Sequence, residues 1–258
     1  MKHRIILTAS ALVLAVAAVR ADAPNDAAPH VVAARRVVDA VTAAARKNAT
    51  SARPLKGDAL TDLYVRVAAA EAAKLPPARA PFAFLTALGI ALDDSTLVRD
   101  NPVFGAICRR VESAAARKAR LAVLGSPTVR GRRDWCQHFA VSCMLTALTG
   151  PAAAEGVGLL KECSDMRPGG SGFSFADLSA DLAGVAFAVR VKQGRLSLDK
   201  LATGFTVNDH VPDAAGISDG LTATEFRKQF GWFGDARYRA EVGRLRKRIA
   251  ELPGQRGS

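Results

Sequence analysis

The spacing of apolar residues along the chain predicts a protein built mainly of helices. Val32, Val38 and Val41 recur at helical intervals over residues 31–47. The last predicted helix, over about 235–251, carries one apolar stripe made of Tyr238, Val242, Leu245, Ile249 and Leu252. No stretch shows the sustained alternation of apolar and polar residues that is typical of a half-buried strand. We therefore expect a mostly α fold, in which residues 31–252 form a single-domain helical bundle.

Proline, glycine and capping residues divide this bundle into separate helices. Asp58 and Ser174 stand at N-cap positions, Thr222 and Glu225 have capping-box spacing, and so do Asp134 and Gln137. The additional helices are predicted at about 59–74, 82–92, 102–124, 135–149, 152–165 and 175–191. Short connections at 150–151 and 168–172 make neighbouring helices antiparallel. Residues 134–191 are thus expected to form a central antiparallel three-helix module.

The N-terminus has the pattern of a targeting segment. Lys2-His3-Arg4 is followed by an uncharged apolar run over 5–19, and Val19 and Ala21 are small residues at the positions that a signal peptidase reads. The run is short for a membrane span. The sequence predicts a signal peptide over 1–21, a flexible lead-in over 22–30, and an exported, periplasmic or extracellular protein. An uncleaved N-terminal anchor is the alternative.

The charge balance suggests an anionic partner. The chain has 36 Lys and Arg against 24 Asp and Glu, a formal net charge of +12. Much of this charge lies on two helical faces, one in the predicted helix over 102–124 and one on the basic amphipathic helix at about 235–251. The latter could contact an anionic envelope surface or polymer, or a membrane surface. The alternative is the solvent-facing side of a docked helix. Nucleic acid is not expected as a partner, because no recognition motif is present.

The four cysteines would enter an oxidising compartment if the chain is exported. Cys108, Cys136, Cys143 and Cys163 allow three pairings. Cys136 and Cys143 lie seven residues apart in one predicted helix, which separates their Cα atoms by about 10 Å, too far for a disulfide. Buried free thiols are the alternative to the remaining pairings.

Candidate chemistry is concentrated in the three-helix module. Asp134, His138 and Ser142 share one face of its first helix at four-residue spacing. Polar residues also share a face of each of the other two helices: Glu155, Glu162 and Asp165 on the second, and Asp177, Asp181 and Gly184 on the third. Three antiparallel helices could therefore gather one histidine and several carboxylates at one place.

Three interpretations of this cluster remain open. The first is a divalent metal site with His138, Glu162, Asp165 and Asp181 as ligands, in which Asp134 orients the histidine ring. The second is general acid–base catalysis by the same four residues. The third is a polar network that holds the helices together, with Asp134, Ser142 and Asp177 in structural roles. The sequence thus predicts a structural or binding protein; the alternative is a hydrolase acting on an envelope polymer or lipid head group.

The module also resembles a known family. The spacing Asp134-x-x-x-His138, Gly158-x-x-Lys161-Glu162-x-x-Asp165 and Ser174-x-x-Asp177-x-x-x-Asp181 resembles that of the YfiM-like lipoproteins of bacterial envelopes. The order of polar residues also loosely resembles that of VanZ-like membrane proteins. The first resemblance covers about 50 residues and implies an envelope location and a role for His138, Glu162, Asp165, Asp177 and Asp181. That family has no assigned activity, so the resemblance implies no substrate.

Overall fold

The structure, a computed structural model, describes residues 28–256. The predicted signal peptide over 1–21 and most of the predicted lead-in lie outside these residues. The chain is 69% helical, with 13 α-helices and no strand among the described residues. This confirms the prediction of a mostly α fold, and a single helical domain is consistent with it.

The helices differ widely in length, from one turn to more than five. They are α1 (Pro29–Ala49), α2 (Gly57–Ala72), α3 (Ala80–Leu92), α4 (Leu97–Asp100), α5 (Phe104–Val111), α6 (Ala114–Leu121), α7 (Arg133–Thr149), α8 (Pro151–Asp165), α9 (Phe175–Lys192), α10 (Leu198–Gly204), α11 (Val207–His210), α12 (Ala223–Phe230) and α13 (Ala236–Ala250), followed by a 3₁₀ turn at Pro253–Gln255.

Helix α7 lies at the centre of the fold. It packs most extensively against α9 on one side and α3 on another, and α8 covers part of a third side. Helix α3 is apolar around its whole circumference and is almost completely buried, as expected for a helix without a solvent face. Trp135, Phe139 and Met144 of α7 are fully buried in this core.

Two glycines allow the backbones of the central helices to approach closely. A Cβ atom on Gly184 of α9 would collide with the backbone carbonyl of Phe139 in α7. A Cβ atom on Gly89 of α3 would collide with the Met144 side chain of α7. Only glycine permits these separations, so both helix contacts depend on the absence of a side chain at one residue.

The predicted helix over 102–124 is wrong, because the chain forms two helices there. Helix α5 ends at Val111, and Ser113 begins α6 by accepting a hydrogen bond from the Ala116 N–H at 3.2 Å. Between them, Glu112 turns inwards and accepts a hydrogen bond from Arg120 Nε at 2.7 Å. This buried ion pair draws the chain out of helical geometry.

Capping predictions had mixed outcomes. Ser174 caps α9 by accepting from the Asp177 N–H at 2.8 Å, and Thr222 with Glu225 forms the predicted capping box. The predicted caps at Asp58 and Asp134 are wrong, because those residues lie inside the first turns of α2 and α7. Gln137 instead donates a side-chain hydrogen bond to Asp94.

The predicted lead-in is wrong at its last residues. Pro29 and His30 already belong to α1. Proline suits this position, because the first turn of a helix needs no hydrogen bond from its N–H.

The four cysteines are free thiols. Cys143 Sγ donates to the Gly184 carbonyl at 3.4 Å, and Cys136 Sγ lies 3.7 Å from Thr61 Oγ1. Burial raises the pKa of Cys136 to about 12. The interpretation of buried free thiols therefore fits Cys108, Cys136 and Cys143, whereas Cys163 is only partly buried.

The basic C-terminal helix α13 is docked on the rest of the protein. Its own side chains Leu245 and Ile249 are buried against the core. Arg246 pairs with Glu155 of α8 at 2.6 Å, and Arg248 pairs with Asp213 at 3.1 Å. These pairs favour the interpretation of a docked helix, and contact with an anionic surface stays a prediction. No helix within the described residues combines the length and apolarity that a membrane crossing requires.

Replacing Gly184 with alanine should lower the free energy of unfolding by about 1–3 kcal/mol, because α7 and α9 must move apart. Gly156→Ala in α8 is the matched control, since a Cβ atom there meets nothing within 4 Å. Alanine in that half-buried helical position should stabilise the protein by up to about 1 kcal/mol. Urea unfolding of both variants checks this prediction, and equal stabilities would contradict it.

Candidate functional site

An open pocket of about 550 Å³ lies beside the three-helix module. One part is apolar, where the second half of α7 and the first half of α8 face α4 and α5. Its apolar lining consists of Leu97, Val98, Phe104, Val141, Leu145, Val157 and Leu160. The other part is polar, where α7 and α9 begin and α8 ends. Its charged lining consists of Arg132, Asp134, His138, Lys161, Asp177, Asp181 and Asp219, and Asp93 is a further carboxylate that lines the pocket.

His138 is held between two carboxylates of α9. Its Nδ1 lies 3.1 Å from Asp181 Oδ1, and its Nε2 lies 3.4 Å from Asp177 Oδ2. Burial lowers the pKa of His138, but the charges and hydrogen bonds of Asp181 and Asp177 outweigh burial and raise it to about 10. At neutral pH the ring is therefore an imidazolium that hydrogen-bonds Asp181 and forms an ion pair with Asp177.

Asp181 is the most deeply placed acid of the pocket, with 4% of the residue exposed. Ser142 Oγ donates to its Oδ1 at 2.7 Å. Its Oδ2 is buried and has no hydrogen-bond partner among the described residues. A Cβ atom on Gly158 would lie 2.7 Å from this oxygen, so the glycine of α8 makes room for it. Ser142 thus serves Asp181 and not His138, which does not match a serine triad.

Lys161 stands in the middle of the acids. Its Nζ lies 2.9 Å from Glu162 Oε1, 3.0 Å from Asp165 Oδ2 and 3.3 Å from Asp177 Oδ2. The same Nζ lies 3.2 Å from His138 Nε2. With both groups protonated, this is a contact between two cations that share the carboxylate of Asp177. Burial lowers the pKa of Lys161, but Glu162, Asp165 and Asp177 outweigh burial and raise it above its usual range. Lys161 is thus a fixed cation of this cluster.

The residues that could hold a metal differ from the predicted set. The ligand atoms of His138, Glu162 and Asp177 lie within 4.8 Å of one another. Asp177 therefore takes the place of Asp165 and Asp181 in this set. The ammonium of Lys161 lies within 3.3 Å of all three residues, so a metal bound by them would have to displace it.

Glu162 joins the end of α8 to the start of α9. It is fully buried, and its Oε2 accepts a hydrogen bond from the Ser174 N–H at 2.9 Å. Burial raises the pKa of Glu162 to about 6, although Lys161 and the Ser174 N–H oppose this change. The carboxyl therefore fixes the loop between the two helices, and it does not line the pocket.

Arg132 closes the polar end of the pocket. Its guanidinium pairs with Asp134 at 2.5 Å, with Asp177 at 2.9 Å and with Asp219 at 2.6 Å. Asp177 consequently meets Arg132, Lys161 and His138. Burial raises the pKa of Asp177, but these cations, His138 foremost, outweigh burial and hold it well below its usual value.

The sequence analysis missed Arg132 and Asp219, and it named Lys161 only as part of the spacing that resembles the lipoprotein family. Lys161 adjoins Glu162 in the family-like spacing, so the sequence could have indicated that Lys161 lies near the acids. Arg132 precedes its helix and Asp219 lies in a loop, where helical spacing predicts nothing. Glu155, predicted on the same face as Glu162, pairs with Arg246 outside the pocket.

Comparisons with protein-family models, curated proteins and solved structures give no match to this chain. The resemblance of residues 134–188 to YfiM-like lipoproteins therefore stays a prediction.

The pKa values of His138 and His210 should differ from the usual histidine pKa in opposite directions. In an NMR titration between about pH 5.5 and 8.5, His138 should stay protonated and His210 neutral. Burial lowers the pKa of His210 to about 4, so that residue is an internal control. The stabilisation associated with His138 is fully present below the unfolded pKa of about 6.5. It is lost as the pH rises through about 10. Titration of His138 near its usual value would contradict the arrangement described.

Proposed function

We propose that this protein binds an amphipathic small molecule, with a cationic head at the polar end of the pocket and an apolar part along its apolar end. The observation that carries this proposal is one open cavity that joins a carboxylate-rich end to a lining of aliphatic and aromatic side chains. Its volume, about 550 Å³, lies within the range of small-molecule sites.

The apolar end supports an apolar ligand segment. Phe104 and Leu145 are buried in its floor, and they belong to a small apolar cluster that is separate from the main core. Leu97 is 72% exposed and Leu160 is 50% exposed, although both line the pocket. Large apolar side chains exposed around a cavity are typical of a surface that a ligand or partner covers.

The polar end supports a head group that donates hydrogen bonds. Five carboxylates line the pocket, against Arg132, Lys161 and His138. Ionised carboxylates only accept hydrogen bonds. Asp181 Oδ2 has no hydrogen-bond donor among the described residues. A primary ammonium on the ligand would add a positive charge and three donors. This acidic lining is notable in a chain of net charge +12.

The same contacts favour binding over hydrolysis. A general base needs a pKa near the working pH, whereas that of His138 is raised to about 10. Metal-assisted chemistry is also less well supported, because Lys161 already supplies the cation beside His138, Glu162 and Asp177.

We further propose that the binding protein is exported to the bacterial envelope. The support is the basic and apolar pattern of residues 1–21 with small residues before Asp22. The resemblance to envelope lipoproteins points to the same compartment. In that setting the pocket would meet amphipathic molecules at the membrane surface.

Octylamine should bind more tightly than octanoate, which has a chain of similar length and the opposite charge. We expect a difference of about tenfold or more in Kd by isothermal titration calorimetry at fixed ionic strength. The double variant Asp134→Asn, Asp219→Asn removes two exposed carboxylates from the lining and should reduce this preference. Asp199→Asn, on α10 and outside the pocket, is the matched control.

A second variant separates the two halves of the proposal. Leu160→Ser should weaken the binding of octylamine without changing the preference for the amine, because Leu160 lines the apolar end. Equal affinity for octylamine and octanoate, or binding that neither variant alters, would contradict the proposal.

Export can be tested on the full chain in a bacterial host. The mature protein should begin at Asp22, as read by intact-mass spectrometry, and should be found in the periplasmic fraction. Ala21→Phe places a bulky residue at the predicted cleavage position and should leave the full chain uncleaved. Wild-type protein that keeps residues 1–21 in the cytosol would contradict this prediction.

A further inference from the structure

A second cavity, of about 420 Å³, lies between α1, α5 and the start of α6. Four arginines, Arg35, Arg46, Arg109 and Arg110, line it together with the carboxyl groups of Asp39 and Glu112. We infer that this arginine groove binds a phosphate-type oxyanion through Arg35, Arg46 and Arg109. This inference is independent of the ligand proposed for the first pocket.

Glu112 does not neutralise the arginine groove, because other arginines already bind it. The residue is 3% exposed. Its carboxylate accepts from Arg120 Nε at 2.7 Å and from Arg99 Nη1 at 3.2 Å. These two partners do not line the groove. The charge of Glu112 is therefore matched on the inner side of the chain.

Two of the groove arginines are held in place by neutral groups. Arg35 donates from Nε to the Val111 carbonyl at 3.2 Å and from Nη2 to the Arg110 carbonyl at 2.6 Å. Arg109 donates from Nη1 to the Arg99 carbonyl at 2.7 Å. Backbone carbonyls orient a guanidinium without cancelling its charge. The remaining N–H groups are thus fixed in position before an anion arrives.

The N-terminus of helix α6 adds positive potential to that of the arginines. Ser113 and Ala116, at its N-terminus, both line the groove. Ser113 Oγ accepts from the Ala116 N–H at 3.2 Å, so its own hydroxyl hydrogen can be donated to an anion. The N-terminus of a helix carries a partial positive charge, and that end of α6 faces the same cavity as the arginines.

Asp39 is the carboxyl that opposes an anion here. Burial raises the pKa of Asp39, and this outweighs the opposite effect of Arg35. The neighbouring arginines therefore do not hold Asp39 as a strongly paired carboxylate. A phosphate, which accepts two parallel hydrogen bonds from a guanidinium, is a better partner for several arginines than this single carboxyl.

Titration calorimetry with inorganic phosphate tests the inference on the full chain, at ionic strength held constant with chloride. Arg46→Gln and Arg109→Gln should each weaken phosphate binding about tenfold, the expected effect of losing one charge-assisted hydrogen bond. Arg239→Gln, on α13 and outside both cavities, removes the same charge and should leave binding unchanged. Asp39→Asn should strengthen binding.

Melting temperatures show whether each variant folds. Arg46 is exposed on α1, so Arg46→Gln still tests the groove if Arg109→Gln does not fold. No measurable phosphate binding, or equal losses in Arg46→Gln and Arg239→Gln, would overturn the inference.

The phosphate could belong to a free molecule or to a lipid head group, and vesicles distinguish these sources. Vesicles of phosphatidylcholine with added phosphatidic acid should bind wild type more than Arg46→Gln if the lipid phosphate enters the groove. Phosphate titration without such vesicle binding supports a free phosphate compound. Vesicle binding that is unchanged in Arg46→Gln, with no response to free phosphate, would place the anion elsewhere and refute the inference.

Discussion

The close crossing of α7 and α9 is the constraint on which the candidate site depends. Gly184 lets α9 approach the carbonyl of Phe139, and Asp181 lies one turn earlier on the same face of α9. At that separation Asp181 reaches both His138 and Ser142 of α7, at 3.1 and 2.7 Å. A wider crossing would break both contacts and leave a buried carboxylate without partners, which costs several kcal/mol.

The polar cluster persists in a half-buried place because its cations are shared. Asp177 contacts Arg132, Lys161 and His138, and each of these cations contacts at least one more carboxylate. Sharing reduces the cost of removing each charge from water, since every ion has more than one partner. Sharing does not make the pocket neutral, because its lining contains more carboxylates than cations. That remaining negative charge would favour a positive group in the pocket, which is the basis of the proposed function.

Helical spacing predicted some of the contacts between helices, and it failed where the chain leaves helices. Asp134, His138 and Ser142 share a face of α7, and they line the pocket as that spacing predicts. Asp181 meets His138 because short loops place α7, α8 and α9 side by side. The split between α5 and α6 could not be predicted, because it depends on the buried pairing of Glu112 with Arg120. Likewise, the central position of Lys161 depends on which carboxylates surround it in three dimensions.

One segment, residues 93–95, connects the walls of the two cavities. Arg120 of α6 donates to the carbonyl of Asp93 at 3.4 Å, and Arg117 donates to the carbonyl of Ser95 at 2.8 Å. Asp93 and Ser95 line the first pocket, whereas Glu112, the partner of Arg120, lines the arginine groove.

Helix α6 therefore supports the first pocket from behind while its N-terminus faces the groove. Because guanidinium contacts to a backbone carbonyl are directional, a change in the position of α6 must be transmitted to residues 93–95. The buried Glu112–Arg120 pair resists such a change, since separating these groups would leave two buried charges unmatched. The ion pair that divides α5 from α6 thus also helps to hold the helix that lines the groove against the segment that lines the first pocket.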